Sequence, residues 1–142
     1  MWCSLYLASL LWTLSTAGAV VAPPPLAPEK NWAGTVSYEQ FPIFRPKTTA
    51  EVVEIVAQYN KIRVIGTRHS FNNLTRIDPT TPKGQGAYVS TVNMNEILSF
   101  SKKSERVVVQ PGVTYGKLGT YLRERGFAVS NMASLPHITV GG

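Results

Sequence analysis

Thr48-Thr49-Ala50-Glu51 opens a segment whose apolar residues recur as Val52, Ile55, Val56 and Tyr59, and a β-prone run from Lys61 to Ile65 comes next and stops at Gly66. The i, i+3, i+4, i+7 spacing predicts an amphipathic helix. Thr48 and Glu51 stand at capping-box spacing, in which each side chain satisfies an otherwise free backbone N–H, and Asn60 suits the helix end. Beyond the strand the chain reads Thr67-Arg68-His69-Ser70-Phe71. A strand that ends in a glycine turn projects successive backbone N–H groups into one small space, a cradle for an anion such as a phosphate. Two hydroxyls, a guanidinium and an imidazole lie within five residues of the strand end. His69 stands at the mouth of the cradle, where it could meet a phosphate-bearing cofactor.

Further elements can be placed along the chain. Thr35 to Tyr38 is a short candidate strand, and Pro42 and Pro46 bound an extended segment. Asn72 to Gly86 is polar, carries Pro79, Pro82, Gly84 and Gly86, and reads as a long loop. Tyr88 to Val92 is a strand and Glu96 to Phe100 a short helical turn. Arg106 to Gln110 is a strong β run stopped by Pro111-Gly112. Thr114 can cap a second helix with Tyr115, Leu118, Tyr121 and Leu122 on its apolar side. Gly126 suits the left-handed position that ends it. Phe127 to Val129 and Ile138 to Val140 complete the set as strands. The order β-α-β, loop, β-β-α-β predicts an α+β domain, a mixed sheet with covering helices.

With 142 residues, 44% of them hydrophobic and 15% charged, the chain is long enough for one globular domain. Met1 to Pro28 carries no charged side chain, so the net charge of +6 falls wholly after it. Leu5 to Leu14 is an apolar core, and Ala17-Gly18-Ala19 a small-residue cleavage site, so residues 1–19 read as a signal peptide and the domain as secreted or lumenal. No basic residue precedes the apolar core, which leaves an uncleaved anchor through residues 5–22 as the alternative. Residues 20–30, with Pro23-Pro24-Pro25 and Pro28, form an extended linker. The folded domain is expected over residues 31–142. The basic residues are scattered, without an aromatic-interleaved stripe, which argues against nucleic acid. Cys3 is the single cysteine, so no disulfide forms within the chain. His69 and His137 are the two histidines, and neither has a second histidine or a carboxylate at ligand spacing, which argues against a metal site.

A lone histidine after a strand is more often structural than catalytic, and Gly66 alone ends strands of many kinds. The uncharged segment Asn131-Met132-Ala133-Ser134-Leu135-Pro136-His137-Ile138-Thr139-Val140-Gly141-Gly142 is a second candidate. Its small residues leave room for backbone to approach a flat ligand. A core strand with a proline turn accounts for it equally well. No G-x-S-x-G elbow accompanies Ser134, and neither a Walker-type loop nor G-x-G-x-x-G occurs. Asn73-Leu74-Thr75 has the form of a glycosylation sequon. Its place beside the candidate turn marks it as fortuitous.

Asn31-Trp32-Ala33-Gly34, Arg63 through Phe71 and Asn131 through Gly142, in that order and spacing, resemble the N-terminal half of the PCMH-type FAD-binding domain of the vanillyl-alcohol oxidase superfamily. The similarity is greatest to the sugar-alcohol and aldonolactone oxidases (alditol, xylitol, gulonolactone and arabinonolactone oxidases). The resemblance implies FAD joined covalently through His69 at the flavin 8α position. It implies flavin contacts from Val64, Ile65, Gly66, Thr67, Arg68 and Ser70, and from Ser134, Thr139 and Gly142. Thr139 stands where serine is common, and Arg68 where some members have glycine. The implied reaction is oxidation of a CH–OH group of a polyol or sugar lactone, with oxygen as acceptor. The residues that would act as acid, base or substrate clamp lie in later parts of such proteins, so the resemblance assigns none to this chain. An end at Val140-Gly141-Gly142 is unusual for a domain, and the sequence is expected to be a piece of a longer protein, inactive alone. The alternative is a secreted basic binding domain that kept the scaffold and lost catalysis.

Overall fold

The computed structural model describes residues 29–142. The expected signal peptide and nearly all of the expected linker lie outside the described residues. Among the described residues, the chain forms five strands, two α-helices and a short 3₁₀ turn at Asn73–Thr75. Strands β1 (Ile43–Phe44), β2 (Lys61–Ile65) and β3 (Gly86–Ser90) form a parallel sheet in the order β1-β3-β2. Strands β4 (Ile97–Ser101) and β5 (Arg106–Val109) form a separate antiparallel pair. The α+β class is as the sequence predicts, but the parallel and antiparallel strands occupy two sheets, not a single mixed one.

Helix α1 (Thr49–Gln58) connects β1 to β2. The Thr48 hydroxyl accepts from the Glu51 N–H at 3.2 Å, as the capping box predicts. The reciprocal bond is displaced by one residue: the Glu51 carboxylate accepts from the Lys47 N–H at 2.7 Å. Ile55 is buried against Phe44, Ala87 and Val89, with Tyr59 and Ile62 packed at the margin. Val56, expected on the same face, is 55% exposed. Ile55 is the one fully buried residue of this helix, so the contact face is narrower than the sequence stripe.

Strand β3 is buried along its whole length, as the centre of a three-stranded parallel sheet requires. It starts at Gly86, two residues before the expected Tyr88, because the ladder with β2 already begins at Lys61↔Gly86, and the Phe41 ring occupies the place of a Gly86 side chain. A Cβ there would lie 2.6 Å from the ring. On the face opposite α1, Tyr88 packs edge-to-face on Tyr38 with ring centroids 5.1 Å apart. Val36, Phe41, Ile65 and Ile77 complete this cluster. The Tyr88 hydroxyl accepts from the buried Ile77 N–H at 3.0 Å.

Three expected elements differ. Thr35–Tyr38 is reduced to a bridge between Lys30 and Ser37. Glu96–Phe100 is not a helical turn but carries β4, paired with β5 from Ile97↔Val109 to Ser101↔Arg106 with an irregularity between Ile97 and Ser99. Five residues hold too few internal bonds to sustain a helix, and pairing places Ile97, Phe100, Val107 and Val109 against helix α2 (Tyr115–Arg123). Phe127–Val129 and Ile138–Val140 are not strands. Phe127 and Val129 pack as irregular chain on Leu118 and Leu122, and only Thr139 bridges, to Thr114. Helix α2 itself is as predicted. The Thr114 hydroxyl accepts from the Lys117 N–H at 3.2 Å. Gly126 sits at φ +77, and the Phe127 and Gly126 N–H groups close the end on the Leu122 and Arg123 carbonyls.

Tyr88→Phe leaves the buried Ile77 N–H without its acceptor. We expect a loss of about 1–3 kcal/mol in urea unfolding at neutral pH. Burial pushes the Tyr88 hydroxyl up from its ordinary 10.0, against the weaker opposing pull of the Ile77 N–H. The unfolded chain therefore ionises first. The stability this phenol contributes is complete below the ordinary value and is lost as pH rises through the raised one. Alkaline unfolding curves of Tyr88→Phe should lack that loss.

Candidate functional site

The carboxyl end of β2 is where the site is built. Ile65 is buried, and its carbonyl accepts from Thr91 N–H at 3.1 Å, which anchors the last residue of the strand to the chain beyond β3. The next residue has no room for a side chain. A Cβ on Gly66 would lie 1.2 Å from the Gly142 carbonyl oxygen and 2.3 Å from Thr139 Oγ1. Backbone from the end of the described chain thus lies directly on the turn. Arg68 follows in the left-handed region at φ 64. That conformation explains why glycine suits the position, and a left-handed residue in a turn favours an anion-binding concavity of backbone N–H groups. Among the described residues, the N–H groups from Thr67 to Ser70 make no hydrogen bond.

The turn is held from behind by the first sequence block. Asn31 is buried. Its amide nitrogen donates to the Ser70 carbonyl at 2.8 Å and to Thr35 Oγ1 at 3.0 Å, while its oxygen accepts from the Val36 N–H at 2.9 Å. The Trp32 N–H donates to the Arg68 carbonyl at 2.8 Å. The Arg68 guanidinium is turned to Glu29, which also pairs with Arg45. One carboxylate thus faces two guanidinium groups, and Arg68 is drawn toward Glu29.

These elements enclose an open cleft of about 300 Å³. Of the residues the sequence singles out, Val64, Ile65, Gly66, Thr67, Arg68, His69, Ser70 and Gly142 line it. Ser134 is exposed and outside that lining. Thr139 is 4% exposed and lies beneath the turn, its hydroxyl donating to the Gly142 carbonyl at 2.7 Å. Sequence reasoning missed Thr75, which also lines the cleft, as does Ile138 of the second candidate segment, not named there as a flavin contact. Thr75 is placed by the Tyr38 hydroxyl, 3.0 Å from its Oγ1, a long-range contact with no local signal. The Thr67 hydroxyl is buried with no hydrogen-bond partner among the described residues.

His69 is fixed on both sides. Trp32 stacks on its ring with centroids 5.7 Å apart and planes 26° from parallel. On the other side, Nε2 of His69 and Nε2 of His137 are 2.7 Å apart. The two histidines, which spacing alone keeps separate, are neighbours. Among the described residues, no cluster of three or more histidine, cysteine, aspartate or glutamate side chains could hold a metal ion.

Gly66→Ala is expected to push the 139–142 segment off the end of β2. Amide hydrogen exchange at Val140 and Gly142, which bond to the Val113 and Thr139 carbonyls, should rise strongly while β3 stays protected. Unchanged exchange there would show that the turn does not depend on the bare glycine.

The chain matches the family model described as FAD binding domain over residues 42–142. It is 29% identical to L-gulonolactone oxidase of Mus musculus over 117 residues, 80% of this chain and 25% of the relative. It is 32% identical to alditol oxidase of a Streptomyces species over 113 residues, 79% of this chain and 26% of the relative. The chain thus spans about a quarter of the length of these curated relatives. Among solved structures, cholesterol oxidase from B. sterolicum superposes with a TM-score of 0.64 at 20% identity, over 86% of this chain and 26% of that one. A solvent-stable cholesterol oxidase does so with a TM-score of 0.66 at 25% identity, over 81% and 22%. These structures share the fold of the chain, and the match over residues 42–142 places the chain in the family of FAD binding domains.

Proposed function

We propose that the cleft at the end of β2 holds FAD, bonded covalently through His69. The protein acting through it would oxidise a CH–OH group of a polyol or sugar lactone, with dioxygen as electron acceptor. The observation that carries this reading is the loop from Gly66 to His69. It combines a position without room for a side chain, a left-handed residue at Arg68, a buried hydroxyl at Thr67 with no partner among the described residues and a half-buried imidazole. Those groups fit a phosphate-bearing, flat cofactor. The loop N–H groups and Thr67 offer donors to phosphate or ring oxygens, and Gly66 lets the backbone come close. When bound, flavin supplies the two-electron redox chemistry, while the protein holds and tunes it. His69 is the nucleophile in reach, since a neutral imidazole nitrogen is competent toward an electron-poor carbon. The substrate class rests on the relatives, which are oxidases of gulonolactone and alditols.

The test is expression with ample riboflavin, followed by acid precipitation. Yellow colour should stay with the precipitated wild-type chain and wash out of His69→Ala, while the variant still binds FAD non-covalently in solution. Colour retained by the variant would move the bond to another residue, and a wild-type chain that binds no FAD would end the proposal. Oxygen consumption with a panel of polyols and aldonolactones then tests the substrate class. Export belongs to the same proposal, on the strength of the uncharged apolar segment from Leu5 to Leu14. N-terminal sequencing of the mature product should begin near Val20.

A further inference from the structure

We infer that His137 is a positioning residue for His69: it sets which nitrogen of His69 carries a lone pair and accepts the proton released when His69 bonds to the flavin. This rests on the reading that His69 carries the cofactor. At 2.7 Å between the two Nε2 atoms, one nitrogen must donate and the other accept, because two N–H groups would repel and two lone pairs would not attract. When His69 donates from Nε2, its Nδ1 holds the lone pair and is free to attack. The opposite arrangement places the proton on Nδ1 and occupies the Nε2 lone pair, which leaves His69 no nucleophilic nitrogen. Attack therefore selects the arrangement in which His137 accepts.

The chain holds His137 in place through its neighbours. The Pro136 carbonyl accepts from the Gly116 N–H at 2.7 Å, and the Ile138 carbonyl from the Tyr115 N–H at 2.9 Å. Both donors belong to the first turn of α2. A Cβ on Gly116 would come within 2.9 Å of the Pro136 carbonyl oxygen, so helix and turn are in close contact on either side of the histidine. Arg68, next to His69 in the chain, is paired with Glu29, which also pairs with Arg45. Among the described residues, no carboxylate hydrogen-bonds either imidazole, and His137 is the base that meets His69.

In the attachment step, a C–N bond forms between His69 Nδ1 and the 8α carbon, and one C–H bond of that methyl group breaks. The methyl proton goes to solvent, and the Nε2 proton of His69 passes to His137. Two electrons and two protons leave in all. Dioxygen takes them and becomes hydrogen peroxide.

The whole chain, incubated with FAD in air, tests this. Covalent incorporation is followed by in-gel flavin fluorescence and intact mass, and non-covalent binding by fluorescence quenching on the same samples. In His137→Ala, covalent incorporation should slow by about 100-fold, the usual scale for loss of a general base, while non-covalent FAD binding and the thermal melt are retained. Added imidazole should restore the rate. His137→Gln, which keeps an acceptor for the His69 N–H but cannot take its proton, should stay slow. Wild-type rates in His137→Ala would overturn the inference and leave the flavin reading intact. Full recovery in His137→Gln would also overturn it, because a hydrogen bond alone would then suffice. A wild-type chain that binds no FAD would remove the flavin reading and, with it, this role for His137.

Discussion

The contact on which the structure turns is backbone against backbone at Gly66. The carboxyl end of β2 and the last residues of the described chain approach so closely that even a methyl group would collide with the Gly142 carbonyl. The 139–142 segment is held there by hydrogen bonds from Val140 to Val113 and from Gly141 to Pro111, and the loop from Thr67 to Ser70 leaves the strand beside it. The same closeness recurs nearby. A Cβ on Gly112 would lie 2.0 Å from the Thr91 carbonyl oxygen, and one on Gly141 would lie 2.6 Å from Pro111 Cβ. Residues 111–113 therefore form a layer between the loop after β3 and the 139–142 segment, stitched on one side by Gly112 to Met94 and on the other by Val140 to Val113. That layer joins the parallel sheet to the hairpin and α2.

Around this contact, buried polar groups do the positioning. Asn31 spans the first block and the loop with three hydrogen bonds from one amide. Each such bond contributes about 1 kcal/mol net, and the cost of leaving one unmade in the interior is larger than that gain. The result is specificity of geometry more than stability. The aromatic cluster of Tyr38 and Tyr88 plays a similar part. Both rings fill the core, and their hydroxyls reach Thr75 and the Ile77 N–H, so the far wall of the cleft is tied to the sheet centre. A site assembled this way places an imidazole at its mouth between Trp32 and His137, with little freedom for the ring to turn away.

Local signals read correctly where one short stretch carries the whole interaction. The Thr48 and Thr114 caps, the Gly126 stop and the run from Lys61 to Ile65 are of this kind, since each depends on hydrogen bonds within a few residues. They read incorrectly where a distant partner decides. Glu96 to Phe100 has helical spacing, but Arg106–Val109 offers it a ladder and α2 offers its apolar side chains a cover. Phe127–Val129 has strand composition, yet among the described residues no strand pairs with it, and it packs on Leu118 and Leu122 instead. Val56 belongs to the apolar stripe of α1, but nothing among the described residues covers it.

The residue types and their order along the chain determine, without any coordinates, that a strand ends at Gly66, that His69 comes after it and that the composition suits one globular α+β domain. Those conclusions need only backbone preferences and short-range periodicity. Tertiary structure alone decides that Arg68 is left-handed and paired with Glu29, that Thr67 is buried without a partner, and that His137 stands against His69. Residues 69 and 137 are 68 positions apart, and no local rule couples them. They meet because Gly66 admits the 139–142 backbone, and α2 then holds the turn that carries the second imidazole.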